Sequence, residues 1–239
     1  MALKKQIAAT ALLLTAALAL EQFTQSDVRL QNMFFDFANC SWLINKNLNP
    51  LLHLLFYTGI KAMIIALSLL VLGIFMTSFK TDRLKPWRKA CVLFLLAAAL
   101  VPLSLAGAKK YTNVYCPAQL NLYCGDKPYV KVFSKYPPDF DKTAHNRGRC
   151  FPAGHASGGF ALMVLFFCFK KKKAKLLGLA IGLIAGWSMG LYQMFRGEHF
   201  LSHTFTTMFG AWLIILLLDA FTRKLARAYP GFFAINEVN

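Results

Sequence analysis

The chain has 239 residues, of which 57% are hydrophobic, and it carries a formal charge of +17. Soluble domains are roughly 45–50% apolar, so this composition excludes an ordinary soluble protein and predicts an integral membrane protein. The lysines and arginines cluster beside apolar segments, where they favour anionic lipid headgroups, and we therefore expect no nucleic-acid partner.

The first apolar segment, residues 6–20, fits two descriptions. Lys4 and Lys5 precede it and the small residues of 17–19 (ALA) end it, as in a cleaved signal peptide. The small-residue site departs from the usual pattern, however, and further apolar segments follow. We therefore favour a retained helix and keep the signal peptide as the alternative.

Five further apolar segments complete an all-α, polytopic membrane protein with about six transmembrane helices. A helix needs about 20 apolar residues to cross the hydrocarbon core of a bilayer. The third of these segments is short unless it begins near Gly154. We expect residues 1–239 to form a single membrane domain. The five segments are 51–78, 90–108, 157–169, 176–195 and 203–221.

Clusters of lysine and arginine alternate between the ends of successive segments and predict their orientation. Basic loops are retained in the cytoplasm. The opposite, outer face then receives residues 21–50, the long loop 109–156 and the turn 196–203. We expect a bacterial inner (plasma) membrane with this face toward the periplasm or exterior. The basic clusters are Lys4-Lys5, 80–89, 170–175 and 222–227.

Four of the six cysteines fall in the predicted outer segments, where an oxidising compartment permits disulfides. Four thiols allow three pairings, and the sequence does not choose among them. Four unpaired loop cysteines are the alternative. The four residues are Cys40, Cys116, Cys124 and Cys150.

Three polar clusters converge on the outer face, at 109–117, 147–157 and 195–203. They combine histidines, cations and glycine-rich backbone. Cations and backbone N–H groups hold the oxygens of a phosphate, particularly at a helix N-terminus such as the one that Gly154 opens. One histidine can attack phosphorus while another protonates the leaving oxygen. The clusters therefore predict a site for phosphate chemistry.

The motifs in these clusters resemble those of the type 2 phosphatidic acid phosphatase (PAP2) family, which shares its fold and mechanism with bacterial acid phosphatases and vanadium haloperoxidases. The family motifs are Lys-x6-Arg-Pro, Pro-Ser-Gly-His and Ser-Arg-x5-His-x3-Asp. The resemblance covers about residues 90–221 and implies a haloperoxidase-like helical core. The matching stretches are Lys109-x6-Cys116-Pro117, Pro152-Ala153-Gly154-His155 and Gln193-x5-His199-x3-His203.

The resemblance implies a role for each matching residue. His199 takes the place of the nucleophile that forms a phosphohistidine, and His155 that of the general acid. Lys109 takes the place of a phosphate-binding cation, and the backbone of Gly154 that of a phosphate cradle. His203 stands where the family has the aspartate that orients the nucleophile. It follows His199 by four residues, so in a helical turn it would share a helical face with His199 and could accept its N–H.

The two arginines of the family motifs and the serine of Pro-Ser-Gly-His are missing from this chain. Arg196, three residues before His199, and Arg149 or Arg147, just before the Pro-Ala-Gly-His turn, are candidates to supply bidentate phosphate ligands instead. Glu198 is a second candidate for orienting the nucleophile. The family positions hold Cys116, Gln193 and Ala153.

We predict a phosphatase that removes phosphate from a lipid headgroup at the outer leaflet, without a cofactor or metal. Substrate candidates are undecaprenyl diphosphate, phosphatidylglycerol phosphate, phosphatidic acid and lipid A, so lipid A phosphatases are among the subtypes considered. The resemblance also admits a phosphotransferase that passes the phosphoryl group to a second lipid.

Two alternatives come from other classes of protein. His199 and His203 have metal-ligand spacing, and His155 could be a third zinc ligand. The surrounding cations would repel a dication, which disfavours that reading. A lipid-phosphate binder or transporter subunit with eroded motifs would keep its function when His199 is replaced by alanine. His53 and His145 have no partner motif, and we expect them to be structural.

Overall fold

A computed structural model describes residues 3–45, 49–140 and 146–233. His145 lies outside the described residues. Within them the chain forms one short antiparallel hairpin, in which β1 (Phe35–Asp36) pairs with β2 (Ser41–Trp42). The other elements are helical. They are α1 (Leu3–Phe23), α2 (Ser26–Gln31), α3 (Pro50–Thr77), α4 (Arg88–Thr112), α5 (Gly154–Cys168), α6 (Lys172–Phe195), α7 (Leu201–Ala228) and α8 (Pro230–Phe233).

Five of these helices, α1, α3, α4, α6 and α7, are long and apolar enough to cross a membrane. The all-α membrane fold is therefore confirmed. The sixth apolar helix, α5, begins at Gly154 and is shorter. At 1.5 Å per residue it extends about 22 Å, less than the roughly 30 Å hydrocarbon core.

Helix α5 lies at the centre of the bundle because it is apolar on all sides. Phe160 and Met163 are buried in a cluster with Phe94 and Ala97 of α4. On the other side α5 packs against α6, whose glycines allow the two backbones to approach closely. A side chain at Gly182 of α6 would overlap the backbone of Met163. Close packing thus fixes the position of the helix that carries His155.

The start of α7 is held by a residue from a distant part of the chain. Asp27, in α2, accepts hydrogen bonds from the backbone N–H of Ser202, at 2.9 Å, and from its hydroxyl group. Phe200, which precedes α7, has no polar side chain to cap the helix, and Asp27 supplies the oxygen that an N-cap residue normally provides. Burial raises the pKa of Asp27, and the hydrogen bonds from Ser202 oppose this shift.

Two disulfides tie together the loops at the site of the motif residues: one joins a segment before α4 to the loop after it, and the other lies within the region between α4 and α5. Cys40 pairs with Cys124, and Cys116 pairs with Cys150. This is one of the three pairings that the sequence allows. The second bridge ties the loop after α4 to the strand-like segment that leads into α5. It therefore connects the first and second motif regions covalently.

The two ends of the bundle differ in chemistry. We call the end at which α5 begins and α6 ends the site end, because it carries His155 and His199. The opposite end, at which α5 ends and α6 begins, carries the basic stretch 170–175, and we call it the lysine end.

Candidate active site

Two histidines from different elements meet at the site end. His155 lies in the first turn of α5, and His199 lies in the loop between α6 and α7. The distance from His155 Nδ1 to His199 Nε2 is 2.9 Å, which is a hydrogen bond. His199 is 1% exposed. The structure therefore brings together the two residues that the family resemblance assigns to proton transfer and nucleophilic attack.

The other ring nitrogen of His199 contacts the Cys116–Cys150 disulfide. Cys150 Sγ lies 3.3 Å from His199 Nδ1 and 2.7 Å from the carbonyl oxygen of Glu198. A disulfide sulfur has no hydrogen to donate, so in a hydrogen bond Nδ1–H must be the donor and sulfur the weak acceptor. Neutral His199 then keeps its lone pair on Nε2, and His155 Nδ1–H donates to it. The sequence indicated Cys150 only as a disulfide candidate and did not predict its contact with His199.

His203 lies beside His199 without a hydrogen bond between them. The ring centroids are 6.0 Å apart. Helix α7 begins only at Leu201, after an extended Phe200, so His199 precedes the helix and does not share a helical face with His203. In the described part of the chain His203 Nδ1 has no hydrogen-bond partner. The ring packs edge-on against Phe151, with centroids 5.0 Å apart.

Arg196 is buried at the end of α6, where it is 7% exposed. Its Nη1 donates to Gln193 Oε1 at 3.4 Å, and its Nη2 lies 3.6 Å from Glu198 Oε1. Gln193 occupies the position of a family arginine, and its hydrogen bond with Arg196 brings the guanidinium group close to that position. Its Nε has no partner among the described residues. The Glu198 carboxylate thus pairs with Arg196 and makes no hydrogen bond to His199.

Lys109, near the end of α4, lies over the first turn of α5. A Cβ atom at Gly154 would come within 2.7 Å of Lys109 Cε and 3.0 Å of its Nζ. The absence of a side chain at Gly154 therefore allows the ammonium group to approach the α5 backbone. A hydrogen bond of 2.6 Å from Thr112 Oγ1 to the Phe151 carbonyl oxygen ties the end of α4 to this segment.

The arginines before α5 lie apart from the histidine pair. Arg147 and Arg149 are both exposed. Arg147 Nη2 donates to the carbonyl oxygen of Tyr111 at 3.3 Å. Arg149 makes no hydrogen bond or ion pair to any described residue. Of the predicted arginine ligands, only Arg196 is buried beside the loop that carries His199.

Burial lowers the pKa of His199 well below its ordinary range, and the positive charge of Lys109 adds to this shift. The neighbouring histidines act in the same direction. A histidine in this environment is neutral at physiological pH, and only the neutral ring has a lone pair for nucleophilic attack.

A cavity of about 320 Å³ opens from His155 along the helices α3, α4 and α5. Its lining is apolar at Ile64, Ile65 and Pro102, and it is polar at the end that holds His155 and Lys61. Lys61 was missed in the sequence. The available signal was a charged residue in the middle of an apolar span, which is costly and usually functional.

Among the described residues, the three histidines do not form a group of ligand atoms close enough to share a zinc ion. Within the described residues, the group of possible ligand atoms that lie within 4.8 Å of one another is Cys116, Cys150 and His199. The two sulfurs are joined in a disulfide, whereas the thiolate is the form of cysteine that binds metal.

Helices that span a membrane and a buried, cation-flanked histidine pair at one end define the class: an integral membrane protein with a site suited to an anionic group. The family model of the PAP2 superfamily matches residues 87–227, more than half of the chain, and the chain belongs to this superfamily. PAP2 members are phosphatases, which supports phosphatase-type activity. No curated protein and no solved structure matched the chain.

Proposed function

We propose that the protein is a membrane phosphatase that removes phosphate from a lipid phosphate or diphosphate through a phosphohistidine on His199. The observation that carries this proposal is the 2.9 Å contact between His155 Nδ1 and His199 Nε2. This contact supports the proposal because the candidate proton donor and the candidate nucleophilic nitrogen lie next to each other. The substrate phosphorus would enter between them, and the two nitrogens would separate to admit it.

In the first step His199 Nε2 attacks phosphorus, so that a P–N bond forms and the P–O bond to the leaving group breaks. The bonding electrons pass to the leaving oxygen, which takes a proton from His155. The Cys150 sulfur beside His199 Nδ1 favours the tautomer with an unprotonated Nε2. His199 is thereby ready to attack without first losing a proton from that nitrogen.

In the second step a water molecule attacks the phosphohistidine. His155, having lost its proton, accepts one from this water, and the P–N bond breaks. Inorganic phosphate leaves and both histidines return to their starting states. A lipid hydroxyl in place of water would give the phosphotransferase alternative, so the acceptor distinguishes the two activities.

Lys109 and Arg196 would offset the charge that develops on the phosphoryl oxygens. The Lys109 ammonium lies over Gly154, and the buried Arg196 has an Nε–H without a partner in the described chain. Fixed donors in a buried site stabilise such a transition state more strongly than water does, because they need no reorganisation.

We further propose that the site end faces the periplasm or exterior of a bacterial inner membrane. The basic stretches 80–89 and 170–175 support this orientation through the retention of positive loops in the cytoplasm. In a background without other reactive thiols, the variant Lys135→Cys should react with an impermeant maleimide added outside cells. The variant Lys172→Cys should not, and the reverse pattern would contradict the orientation.

The activity is tested by measuring phosphate release from a panel of lipid phosphates and diphosphates by the purified protein. We expect release that persists in EDTA and is inhibited by vanadate, which mimics the phosphoryl-transfer transition state. His199→Ala and His155→Ala should lose this release, and His53→Ala serves as the histidine control. Loss of activity in EDTA would favour the metallohydrolase, and full activity of His199→Ala would favour the non-catalytic binder.

A further inference from the structure

Lys61 has a position that phosphate transfer at His199 does not explain. It lies in α3 (Pro50–Thr77), in which it is the only lysine, arginine, aspartate or glutamate. Its side chain is exposed on a helix that is apolar enough to span the membrane. Within the described residues it forms no ion pair or hydrogen bond. A charged side chain within a membrane-spanning helix costs free energy, and charged residues at such positions commonly bind ions or substrates.

The backbone of α3 directs Lys61 toward the histidine pair. The helix contains a π-turn at Leu54–Thr58, a feature that is frequent at functional sites. The ring of Tyr57, in this turn, packs edge-on against His155, with centroids 5.4 Å apart. Lys61 follows Tyr57 by four residues and so shares its helical face. Both line the cavity that reaches His155.

Lys61 lies on the His155 side of the histidine pair. This position indicates which part of the substrate Lys61 would contact. Under the proposed function, on which this inference rests, His199 takes the transferred phosphoryl group and His155 protonates the leaving group. The cavity opens from His155 and continues over Ile64, Ile65 and Pro102. The leaving group and its lipid chain would therefore occupy the cavity, with Lys61 beside them.

We propose that Lys61 binds a negative charge on the leaving group, and that the preferred substrate is consequently a lipid diphosphate. Transfer of the terminal phosphoryl group to His199 breaks the bond to the bridging oxygen. That oxygen keeps the electron pair and leaves as part of a lipid monophosphate, which remains anionic. Lys61 stabilises this product and the charge that builds on it, while the apolar lining receives the chain. When the substrate is a lipid monophosphate, the leaving group is a neutral alcohol, which has no negative charge for Lys61 to bind.

Two other cations of the site are placed for the transferred phosphate and would not duplicate this role. Lys109 reaches the first turn of α5 from α4, and Arg196 is buried beside Gln193 on α6. Lys61 comes from α3, on the lipid-facing side of the cavity. A substrate with two phosphates would thus meet a separate cation for each of them.

The test compares kcat/KM for a lipid diphosphate and a lipid monophosphate with the same chain, in wild type, Lys61→Gln and Lys61→Arg. Lys110→Gln is the matched control, because Lys110 is an exposed lysine at the same end of the bundle and is removed from the cavity. We expect Lys61→Gln to lower kcat/KM for the diphosphate by roughly 10- to 100-fold, the scale of one charge-assisted hydrogen bond. The value for the monophosphate should change by less than about 3-fold, and Lys61→Arg should retain the preference for the diphosphate.

Retained monophosphate turnover in Lys61→Gln also reports that the variant is folded. An equal loss on both substrates, or no loss on either, would overturn the inference while leaving the phosphatase intact. A wild-type protein that hydrolyses the monophosphate as well as the diphosphate would overturn it too. A wild-type protein that hydrolyses neither would overturn the proposed function itself, and this inference with it.

Discussion

Helices α5 and α3 both contribute to the cavity beside His155, but they are attached to the bundle in opposite ways. Helix α5 is enclosed, and its backbone approaches the backbone of α6 closely at two glycines, Gly159 of α5 and Gly182 of α6. In α3, all of whose residues the structure describes, Ile64 is the only buried residue. A side chain at Gly73 would contact nothing within 4 Å.

Under the proposed function, this difference assigns the chemistry to α5 and recognition of the lipid to α3. Residues that exchange protons and bonds must be held within fractions of an ångström, and the close packing of α5 holds His155 in this way. A helix that borders the path of a lipid chain has to admit substrates from the bilayer. The loose attachment of α3 is suited to that task, and we expect substitutions on the two helices to have different effects.

The largest effect should follow from breaking the α5–α6 contact. A methyl group at position 182 would lie within 2.7 Å of the Leu162 carbonyl carbon and would also overlap Met163, and backbone atoms cannot rotate away. We expect Gly182→Ala to lower the free energy of unfolding by about 3 kcal/mol or more and to remove activity. Gly73→Ala on α3 is the control and should leave activity unchanged and stability equal or slightly higher, because alanine favours a helix more than glycine does. Thermal unfolding in detergent compares the stabilities and phosphate release compares the activities. Equal stability of the two variants would contradict the comparison.

The second effect concerns Arg196, which we propose replaces a missing family arginine. We expect Arg196→Ala to lower kcat at least 100-fold, about the loss that follows removal of one strong transition-state contact. Arg196→Lys should recover little, because the planar guanidinium geometry is lost. Arg149→Ala, at an exposed arginine of the same face, is the control. Near-normal kcat in Arg196→Ala would show that Arg196 only anchors the end of α6.

A third, smaller effect should come from the sulfur beside the nucleophile. We expect the pair Cys116→Ala and Cys150→Ala to lower kcat about 10-fold, the scale of one lost hydrogen bond. The pair Cys116→Ser and Cys150→Ser should recover part of the rate, because a hydroxyl oxygen can accept from His199 Nδ1.

The second disulfide provides the control for this experiment. The pair Cys40→Ala and Cys124→Ala removes a bridge that does not contact His199 and should leave kcat within about 2-fold of wild type. Equal losses from both alanine pairs would mean that the bridges act only through stability.

The smallest effect is expected from mild acid. A histidine with an ordinary pKa of about 6.5 would be half protonated at about pH 6.5. The pKa of His199, by contrast, is lowered by burial and by Lys109. The rate of phosphoenzyme formation from a fully ionised aryl phosphate should therefore change by less than about 1.2-fold between about pH 7.5 and pH 6.5, a range over which an ordinary histidine would lose about half of its neutral form. The rate should fall only in stronger acid. A half-maximal rate near pH 6.5 would contradict the assigned environment.

The same shift affects stability with a definite sign. The unfolded chain binds a proton on His199 near pH 6.5, and the folded protein does not. His199 therefore lowers the stability of the folded protein as the pH falls below about 6.5, and this contribution is absent above that pH.

The long helices could be predicted because their signal is simply a continuous apolar run. The segments 51–78 and 176–195 correspond to Pro50–Thr77 and Lys172–Phe195. Their ends differ where polar residues continue the helix, as at the start of α6. The motif spacing also predicted that His155 and His199 lie together, since the family pattern relates positions that are distant along the chain, and the two rings are in hydrogen-bond contact. Their catalytic roles stay predictions.

Contacts formed by the irregular loop between α4 and α5 could not be predicted. This loop has no periodic pattern, so nothing in the sequence pairs Cys116 with Cys150 or places their sulfurs beside His199. The expected contact between His199 and His203 assumed a helical turn, but α7 begins after His199. By contrast, Lys61 could have been found, because it interrupts an apolar span.

The central claim, a phosphohistidine on His199, is tested most directly by trapping the intermediate. Wild-type protein is mixed with lipid phosphate labelled on the transferred phosphoryl group and is quenched in alkali, in which phosphohistidine persists. We expect a labelled protein that loses its phosphate in acid, with the label on the peptide that contains His199. His199→Ala should carry no label. His155→Ala should form little labelled protein from the lipid phosphate, because the leaving lipid oxygen lacks its acid. It should accumulate label from a labelled, activated aryl phosphate, because that leaving group needs no proton and the water that releases the phosphate lacks its base. Phosphate release without any labelled protein, or label that persists in His199→Ala, would contradict the proposed mechanism.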